Sequence, residues 1–341
     1  MIRPAAAAAL TAFFPALAQG DVPNVVTDIA PVHSLVSMVM EGVGEAHLLL
    51  PANSSPHGYA MRPSDARSLQ SADILVWVGP DLTPWLAKAH DTLGPQAIDL
   101  RLLDVSDSIV LPPRSVEIAA FLEDEDHDHG HEDEDEHEDE HEHEDEHEDE
   151  HGHEDEHEGE EEHDEAHDHD HADAQRDPHA WLHPENARVW LTEVAAKLAA
   201  VDPDNADIYR ANADAARAEI DAVEAKVRAL FSNAGATEFA VYHDAFQYFE
   251  VAFGLSASGA LADTDGAQPS ARRAAALRDA IAEGHITCIF AEPQFADRAL
   301  RAVSGGAEVA VLDPLGSTVD VGATLYPHVL QSIGEAIAAC Q

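Results

Sequence analysis

The sequence predicts an α/β protein of two lobes, each built on a parallel sheet, joined by one long rigid helix. The chain has 341 residues, which is enough for two domains of ordinary size. Short apolar runs alternate with helical stretches on both sides of the middle of the chain, and this alternation is typical of parallel α/β sheets. A long Ala-rich helical segment lies between the two alternating regions.

The elements of the first lobe follow one another within residues 24–200. The helix starts are marked by prolines and the first helix stop by Gly42 and Gly44, as expected from the conformational preferences of these residues. A turn-rich loop at 51–58 follows the second strand. The predicted strands are 24–29, 47–50 and 73–78, and the predicted helices are 31–40, 63–70 and 184–201.

A linker helix within residues 205–232 and a second lobe at 237–341 complete the predicted fold. The helical pattern covers 205–231 and would be about 40 Å long at 1.5 Å per residue. Its apolar positions include Ala211, Ala215, Ile220, Val223, Val227 and Leu230. Such a mostly polar helix in mid-chain is typical of a bridge between lobes. The second lobe has predicted strands at 239–242, 287–291 and 309–312 and helices at 244–253, 271–283, 296–304 and 326–339.

Most of the net charge comes from one tract, residues 123–173. The tract holds 32 acidic residues and no Lys or Arg, so it contributes −32 of the formal −49 and leaves −17 for the rest of the chain. Because it is nearly free of apolar residues, we expect a disordered loop that interrupts the first lobe. The acidic balance disfavours nucleic acid and anionic lipid as partners.

Residues 1–18 have the pattern of a cleaved export signal. Arg3 is followed by a short apolar run, and Ala16-Leu17-Ala18 resembles a cleavage site. An N-terminal membrane anchor is the alternative, but the run is shorter than the roughly 20 residues that span a bilayer. We therefore expect an exported protein, and we expect a monomer.

The two cysteines, Cys288 and Cys340, predict one disulfide bond. An even, small number of cysteines in an exported protein favours a bridge. Two unrelated buried thiols are the alternative. A bridge would attach the C-terminus to the strand-like run that contains Cys288.

Three of the nine histidines outside the tract occupy positions suited to a common site. His57 and His243 each follow a predicted strand, and His179 precedes a predicted helix. Asp313 also follows a strand. Ligands of open α/β sheets bind beyond the carboxyl ends of strands, so these side chains could line a cleft between the lobes. A nitrogen-rich set suits Zn(II) in tetrahedral geometry. The alternative is that each histidine only caps a helix or fills a loop.

Five segments of the chain resemble the periplasmic solute-binding proteins of high-affinity zinc ABC uptake systems. The resemblance runs from about residue 24 to the C-terminus, and its segments are LLLPANSSPHGYAMRPSDARSLQSADILVWVG, DPHAWLHPENA, YHDAFQYFEVAFGL, CIFAEPQF and LDPLG. It implies that His57, His179 and His243 bind Zn(II) in the interlobe cleft, that Cys288 pairs with Cys340, and that an acid- and histidine-rich insertion is a family feature. It also implies a non-enzymatic protein that captures Zn(II) in the periplasm and delivers it to a membrane permease.

One departure from the family concerns the fourth ligand. Some members carry Glu just before the first histidine, where this chain has Pro56. The fourth ligand is then expected to be water or Asp313. Relatives that bind manganese carry a carboxylate at the position of His243, which favours zinc here; a binding protein for manganese or another divalent metal is the alternative. His33 is a further candidate facing the cleft.

The other histidines outside the tract are interpreted as surface or core residues. His183 is followed by Pro184, so a helical metal-binding pair with His179 is not expected. Surface or core positions are expected for His47, His90, His285 and His328.

The fourteen histidines of the tract are interpreted as weak accessory metal ligands. Mobile ligands must become ordered on binding, so each site should be weaker than a preformed cleft. The alternatives are a solvated spacer and a periplasmic metal store acting through the tract alone. A zinc hydrolase is a further alternative, although neither H-E-x-x-H nor G-x-S-x-G occurs. The tract histidines are His127, His129, His131, His137, His141, His143, His147, His151, His153, His157, His163, His167, His169 and His171.

Overall fold

The computed structural model describes residues 22–51, 54–114, 176–232, 238–262, 270–295, 298–305 and 307–340. These residues belong to one compact unit. The predicted export signal and the acid- and histidine-rich tract lie outside them. Within the described ranges, no helix is both long enough and apolar enough to cross a membrane.

The first lobe contains a four-stranded parallel sheet in the order β2-β1-β3-β4. The inner strand β3 is buried along its whole length, as expected for a parallel strand covered on both faces. The strands are β1 Val25–Thr27, β2 His47–Leu48, β3 Ile74–Trp77 and β4 Ile98–Arg101. The helices are α1 Ala30–Val39, α2 Pro63–Gln70, α3 Pro84–Leu93 and α4 Pro184–Val201.

The second lobe repeats this pattern with a parallel sheet in the order β6-β5-β7-β8. Its strands are β5 Phe239–His243, β6 Gly259–Ala262, β7 Cys288–Ala291 and β8 Glu308–Val311. Helix α5, Ala206–Phe231, joins the two lobes. The remaining helices are α6 Gln247–Phe253, α7 Ala271–Ala282, α8 Arg298–Val303 and α9 Leu325–Ala339. The two-lobed α/β architecture is therefore confirmed, and the lobe boundaries at 24–200 and 237–341 stay predictions.

Helix α5 buries a single stripe, which includes some of the apolar positions named from the sequence and leaves others exposed. Counting back from Ile220 in steps of four and three leads to Ala216 and Ala213, which are both buried. The apolar residues Ala211 and Ala215 lie beside this stripe and are exposed. Leu230, another apolar position of the helix, is 39% exposed near its end.

The two lobes share one continuous hydrophobic core. Helix α5 packs against α1 of the first lobe and α9 of the second, and α1 also packs directly on α9. The Ser34 hydroxyl in α1 donates to the Ala323 carbonyl (3.0 Å) and accepts from the Tyr326 backbone N–H (2.9 Å). Buried residues of both sheets belong to the same apolar cluster as the stripe of α5.

The disulfide between Cys288 and Cys340 is present and joins β7 to the end of α9. Its Cα atoms lie 5.9 Å apart, which is within the usual range for a bridge. The two residues are 52 positions apart, so the closed loop should contribute about 4 kcal/mol to the free energy of unfolding in the chain-entropy model. We expect the double variant Cys288→Ala/Cys340→Ala to lose about that amount in denaturant unfolding. Equal unfolding free energies of variant and wild type would contradict this expectation.

Candidate metal centre

Three histidines from separate parts of the chain line one pocket. His57 lies in a single 3₁₀ turn after β2, and His179 immediately precedes a second such turn that leads into α4. His243 is the last residue of β5, whereas it was predicted to lie directly after that strand. The His179 ring centroid is 5.3 Å from that of His243 and 5.7 Å from that of His57. The structure thus brings the three predicted ligands together.

The geometry of His179 and His243 fits a tetrahedral metal ion. Their Nε2 atoms face each other at 3.4 Å. Zn–N bonds of 2.0–2.1 Å at the tetrahedral angle require a nitrogen–nitrogen distance of about 3.3–3.4 Å. Both residues are more than nine-tenths buried. The pair is therefore already spaced as two ligands of one zinc ion.

Each of these two imidazoles is oriented by a buried carboxylate. The His243 Nδ1 atom lies 2.6 Å from Glu292 Oε1, and the His179 Nδ1 atom lies 2.8 Å from Asp177 Oδ1. Asp177 Oδ1 also accepts the backbone N–H of His179 at 3.0 Å. A carboxylate at Nδ1 favours the tautomer with its proton on Nδ1, which leaves the Nε2 lone pair for a metal. A cation between the two Nε2 atoms would satisfy both lone pairs at once.

Glu292 and Asp177 had not been predicted as site residues. Glu292 directly follows β7, so the rule that pointed to Asp313 also applies to it. Asp177 stands two positions before His179 in the segment DPHAWL. The signal for both was the frequent pairing of a ligating histidine with a carboxylate.

Apolar side chains surround the histidines and limit access of water. The Trp181 ring lies 5.4 Å from that of His179, and the Phe295 ring lies 5.4 Å from that of His243. Pro56, Pro314 and Leu315 complete the apolar lining. Within the described ranges, no three or more His, Cys, Asp or Glu side chains lie close enough together to coordinate one metal ion. The His179 and His243 pair is at ligand spacing, and His57 is the third ring on the pocket wall.

Asp313 does not line this pocket, although its neighbours Pro314 and Leu315 do. Its Oδ2 atom accepts hydrogen bonds from the Ser317 hydroxyl (2.9 Å) and the Thr318 backbone N–H (3.1 Å). These bonds hold the turn after β8. Its Oδ1 atom is buried and has no hydrogen-bond partner among the described residues. The fourth ligand, water or Asp313, stays a prediction.

His33 is engaged away from the pocket. Its Nε2 atom lies 3.1 Å from the Ala46 carbonyl, and its Nδ1 atom lies 3.3 Å from the Ser37 hydroxyl. A neutral ring donating from Nε2 and accepting at Nδ1 fits both contacts. His183 caps α4, since its Nδ1 atom accepts from the Glu185 backbone N–H. His90 is buried in α3, whereas His47, His285 and His328 are exposed.

Burial lowers the pKa of His33 below 6.5, and the bond to Ala46 opposes this only in part. The folded state then binds the proton less readily than the unfolded state, so stability should fall as pH decreases through 6.5. We expect wild type to lose unfolding free energy relative to His33→Gln between pH 7.5 and 5.5, by at most about 1.4 kcal/mol per pH unit. Parallel losses in both proteins, measured by urea unfolding, would contradict this.

Removal of an orienting carboxylate should weaken metal binding without abolishing it. We expect Glu292→Gln and Asp177→Asn each to lower zinc affinity about 10- to 100-fold, because loss of such partners typically has this effect. Competition titration with a zinc chelator measures the change. Glu335→Gln, which alters an exposed carboxylate on α9, is the matched control. An unchanged affinity in both variants would show that the two carboxylates do not orient ligands.

Several sequence relatives of this chain are described as zinc-uptake proteins. The family described as "ZnuA: Zinc-uptake complex component A periplasmic" matches residues 25–340. A relative from Paracoccus denitrificans, described as "High-affinity zinc uptake system protein ZnuA", is 43% identical over 347 aligned positions, covering 100% of this chain and 99% of the relative. A protein of the same description from Brucella abortus is 36% identical and covers 98% and 96% of the two chains.

Solved structures show the same fold. One described as "Crystal structure of ZnuA" superimposes with a TM-score of 0.69 at 21% identity and covers 94% of this chain and 99% of its own. At that identity the likeness concerns the fold alone. Because the family match spans almost the whole chain and relatives above 30% identity are covered nearly from end to end, the chain belongs to the ZnuA family of periplasmic zinc-uptake components.

Proposed function

We propose that this protein captures Zn(II) in the periplasm and delivers it to the permease of an ABC transporter for import. The observation that carries the proposal is the 3.4 Å separation of the His179 and His243 Nε2 atoms, with each Nδ1 atom held by a carboxylate. The relatives described as high-affinity zinc uptake proteins support the same reading.

The proposed ligands are His57, His179 and His243, with water in the fourth position. Three imidazole nitrogens suit Zn(II), whereas Mn(II) is expected to use more carboxylate oxygen. The buried carboxylates Glu292 and Asp177 contact histidine Nδ1 atoms instead of offering oxygens to the ion. Zinc is therefore favoured over manganese as the transported ion.

Transport is favoured over hydrolysis by the roles of the acidic groups at the site. A zinc hydrolase needs a general base beside the metal-bound water and a substrate pocket. Glu292, the carboxylate that lines the pocket, lies 2.6 Å from His243 Nδ1 and is engaged as its partner. The lining residues leave a small space, which suits a single ion better than an organic substrate.

The acid- and histidine-rich tract is proposed to bind zinc with lower affinity than the cleft. Its fourteen histidines stand among 32 carboxylates, which attract cations. The protein is proposed to act as a monomer. It is proposed to bind no nucleic acid and to catalyse no reaction. The permease is its proposed protein partner.

Metal analysis and competition titration of the mature protein, with and without residues 123–173, test the proposed function. We expect one tightly bound zinc ion in both proteins and additional weak sites only in the protein that retains residues 123–173. Restoration of zinc-limited growth in cells that lack their own zinc-binding component tests delivery to a permease. Loss of the tight site on deletion of the tract would show that the cleft is not the transport site.

A further inference from the structure

We propose that Gln294 holds the water molecule that completes the zinc coordination, and that it thereby helps to set the metal preference of the pocket. The inference rests on the proposed function and names one further residue that acts in it. Gln294 would be a positioning residue, because it contacts the water and not the ion itself.

The amide of Gln294 is buried in the pocket. Gln294 lies two positions after Glu292, beyond the carboxyl end of β7, and lines the pocket with the three histidines. Its Oε1 and Nε2 atoms are both buried, and neither has a hydrogen-bond partner among the residues that the structure describes. Buried polar groups are nearly always hydrogen-bonded, since leaving one unsatisfied costs about 1–3 kcal/mol. A partner for this amide is therefore expected inside the pocket.

The other polar side chains at the pocket have assigned roles. Glu292 and Asp177 orient His243 and His179, and the three histidines are the proposed ligands. Asp313 holds the turn after β8 and does not line the pocket. Among the lining residues that the structure describes, Gln294 is thus the polar side chain left to face the open side of the ion.

The chemistry of an amide suits this role. A water molecule bound to zinc through its oxygen has two hydrogens to donate, and Oε1 of Gln294 can accept one of them. The amide is neutral, so it adds no anionic oxygen to the site. A carboxylate at the same position would favour metals that prefer oxygen ligands. Gln294 therefore stabilises the fourth position without shifting the preference toward Mn(II).

Two substitutions separate the hydrogen bond from the shape of the side chain. Gln294→Met keeps a similar length but removes the polar atoms, and Gln294→Glu keeps an acceptor and adds charge. We expect Gln294→Met to lower zinc affinity about 10-fold or more, as loss of other outer-shell partners does. We expect Gln294→Glu to retain most of the zinc affinity and to raise Mn(II) affinity relative to zinc. Gln331→Met, at a half-buried position of α9, is the matched control.

The visible absorption spectrum of the Co(II)-loaded proteins gives a readout that a purely structural role would not change. We expect the ligand-field bands of Gln294→Met to shift, and those of Gln294→Glu to stay closer to wild type. X-ray absorption of the zinc-loaded proteins should show the same coordination number in wild type and Gln294→Met. Loss of one protein ligand in that variant would make Gln294 a direct ligand and overturn the proposal.

Unchanged zinc affinity and an unchanged Co(II) spectrum in Gln294→Met would also overturn it. Thermal unfolding of the metal-free proteins shows whether Gln294→Met still folds. If it does not, the relative affinity of Gln294→Glu for Mn(II) and zinc becomes the test. A Mn(II)-to-zinc preference equal to that of wild type would then refute the proposed role of Gln294. Absence of a tight zinc site in wild type would instead refute the proposed function.

Discussion

His179→Ala and His243→Ala are each expected to lower zinc affinity by more than about 100-fold. Loss of an outer-shell partner alone typically has a 10- to 100-fold effect, and loss of a ligand should exceed it. The remaining nitrogens would hold the ion with one fewer bond in a pocket whose walls are largely apolar. His57→Ala is expected to act in the same direction. Competition titration with a chelator of known affinity measures all three.

His285→Ala provides the matched control, because this histidine is exposed and lies outside the pocket. We expect its zinc affinity to equal that of wild type. Wild-type affinity in all three pocket variants would mean that the tight site lies elsewhere. Thermal unfolding of the metal-free variants separates loss of a ligand from loss of the fold, because His179 and His243 also contact buried carboxylates.

Arg114→Met is expected to lower the free energy of unfolding by about 3–5 kcal/mol. Arg114 forms two bonds to the Asp244 carboxylate (2.8 and 2.9 Å) and one to Glu250 Oε1 (2.7 Å). The side chains of Asp244 and Glu250 are 6% and 1% exposed. Removing the Arg114 guanidinium leaves two buried carboxylates without their positively charged partner. Removal of one member of a buried ion pair typically lowers the free energy of unfolding by about 3–5 kcal/mol.

The loss should depend on pH. Burial raises the pKa of Glu250, and the Arg114 guanidinium opposes that rise. In Arg114→Met the pKa of Glu250 should rise further, so the variant loses most stability above that pKa and recovers part of it as the carboxyl group becomes protonated in acid. Urea unfolding at pH 7.5 and 5 measures the difference. A loss that is equal at both pH values would argue against Glu250 as its source.

Arg210→Met is the control for this change, because Arg210 and its ion-pair partner Asp207 have side chains that are 62% and 102% exposed, respectively. Exposed pairs contribute little, and we expect a change within about 1 kcal/mol. The double variant Arg114→Met/Glu250→Gln should regain part of the stability that Arg114→Met loses, because the buried charge is removed together with its partner. A loss as small in Arg114→Met as in Arg210→Met would contradict the argument.

Elements with strong local signals were predicted well from the sequence, and elements without them were missed. Helices α2 and α4 begin at prolines and match their predicted bounds. Strand β6 was not predicted, because its sequence GALA has low β-propensity and is a strand through pairing with β5. Strand β4 was also missed: its sequence IDLR is half polar and lies at the sheet edge. Helix α3 is the exception, because it begins at Pro84 and ends before Gly94 and was still not predicted.

The site shows the same division between local and long-range information. The resemblance and the rule of strand ends pointed to His57, His179 and His243, which the structure places in one pocket. The roles of Glu292 and Gln294 depend on contacts that the local sequence does not carry. Glu292 contacts His243, which is 49 positions earlier in the sequence, and this contact follows from the pairing of β5 with β7.

The shared core limits how an ion can leave the pocket. Hinge opening of the lobes would pull α1 and α9 away from α5 and expose apolar surface to water. It would also break the bonds from Trp181 Nε1 to the Pro314 carbonyl and from Tyr326 Oη to the Trp181 carbonyl. Release through a shift of the short turn that carries His57 disturbs far less structure. The dissociation rate of the ion should therefore depend on this turn, and substitutions there should change residence time more than substitutions along α5.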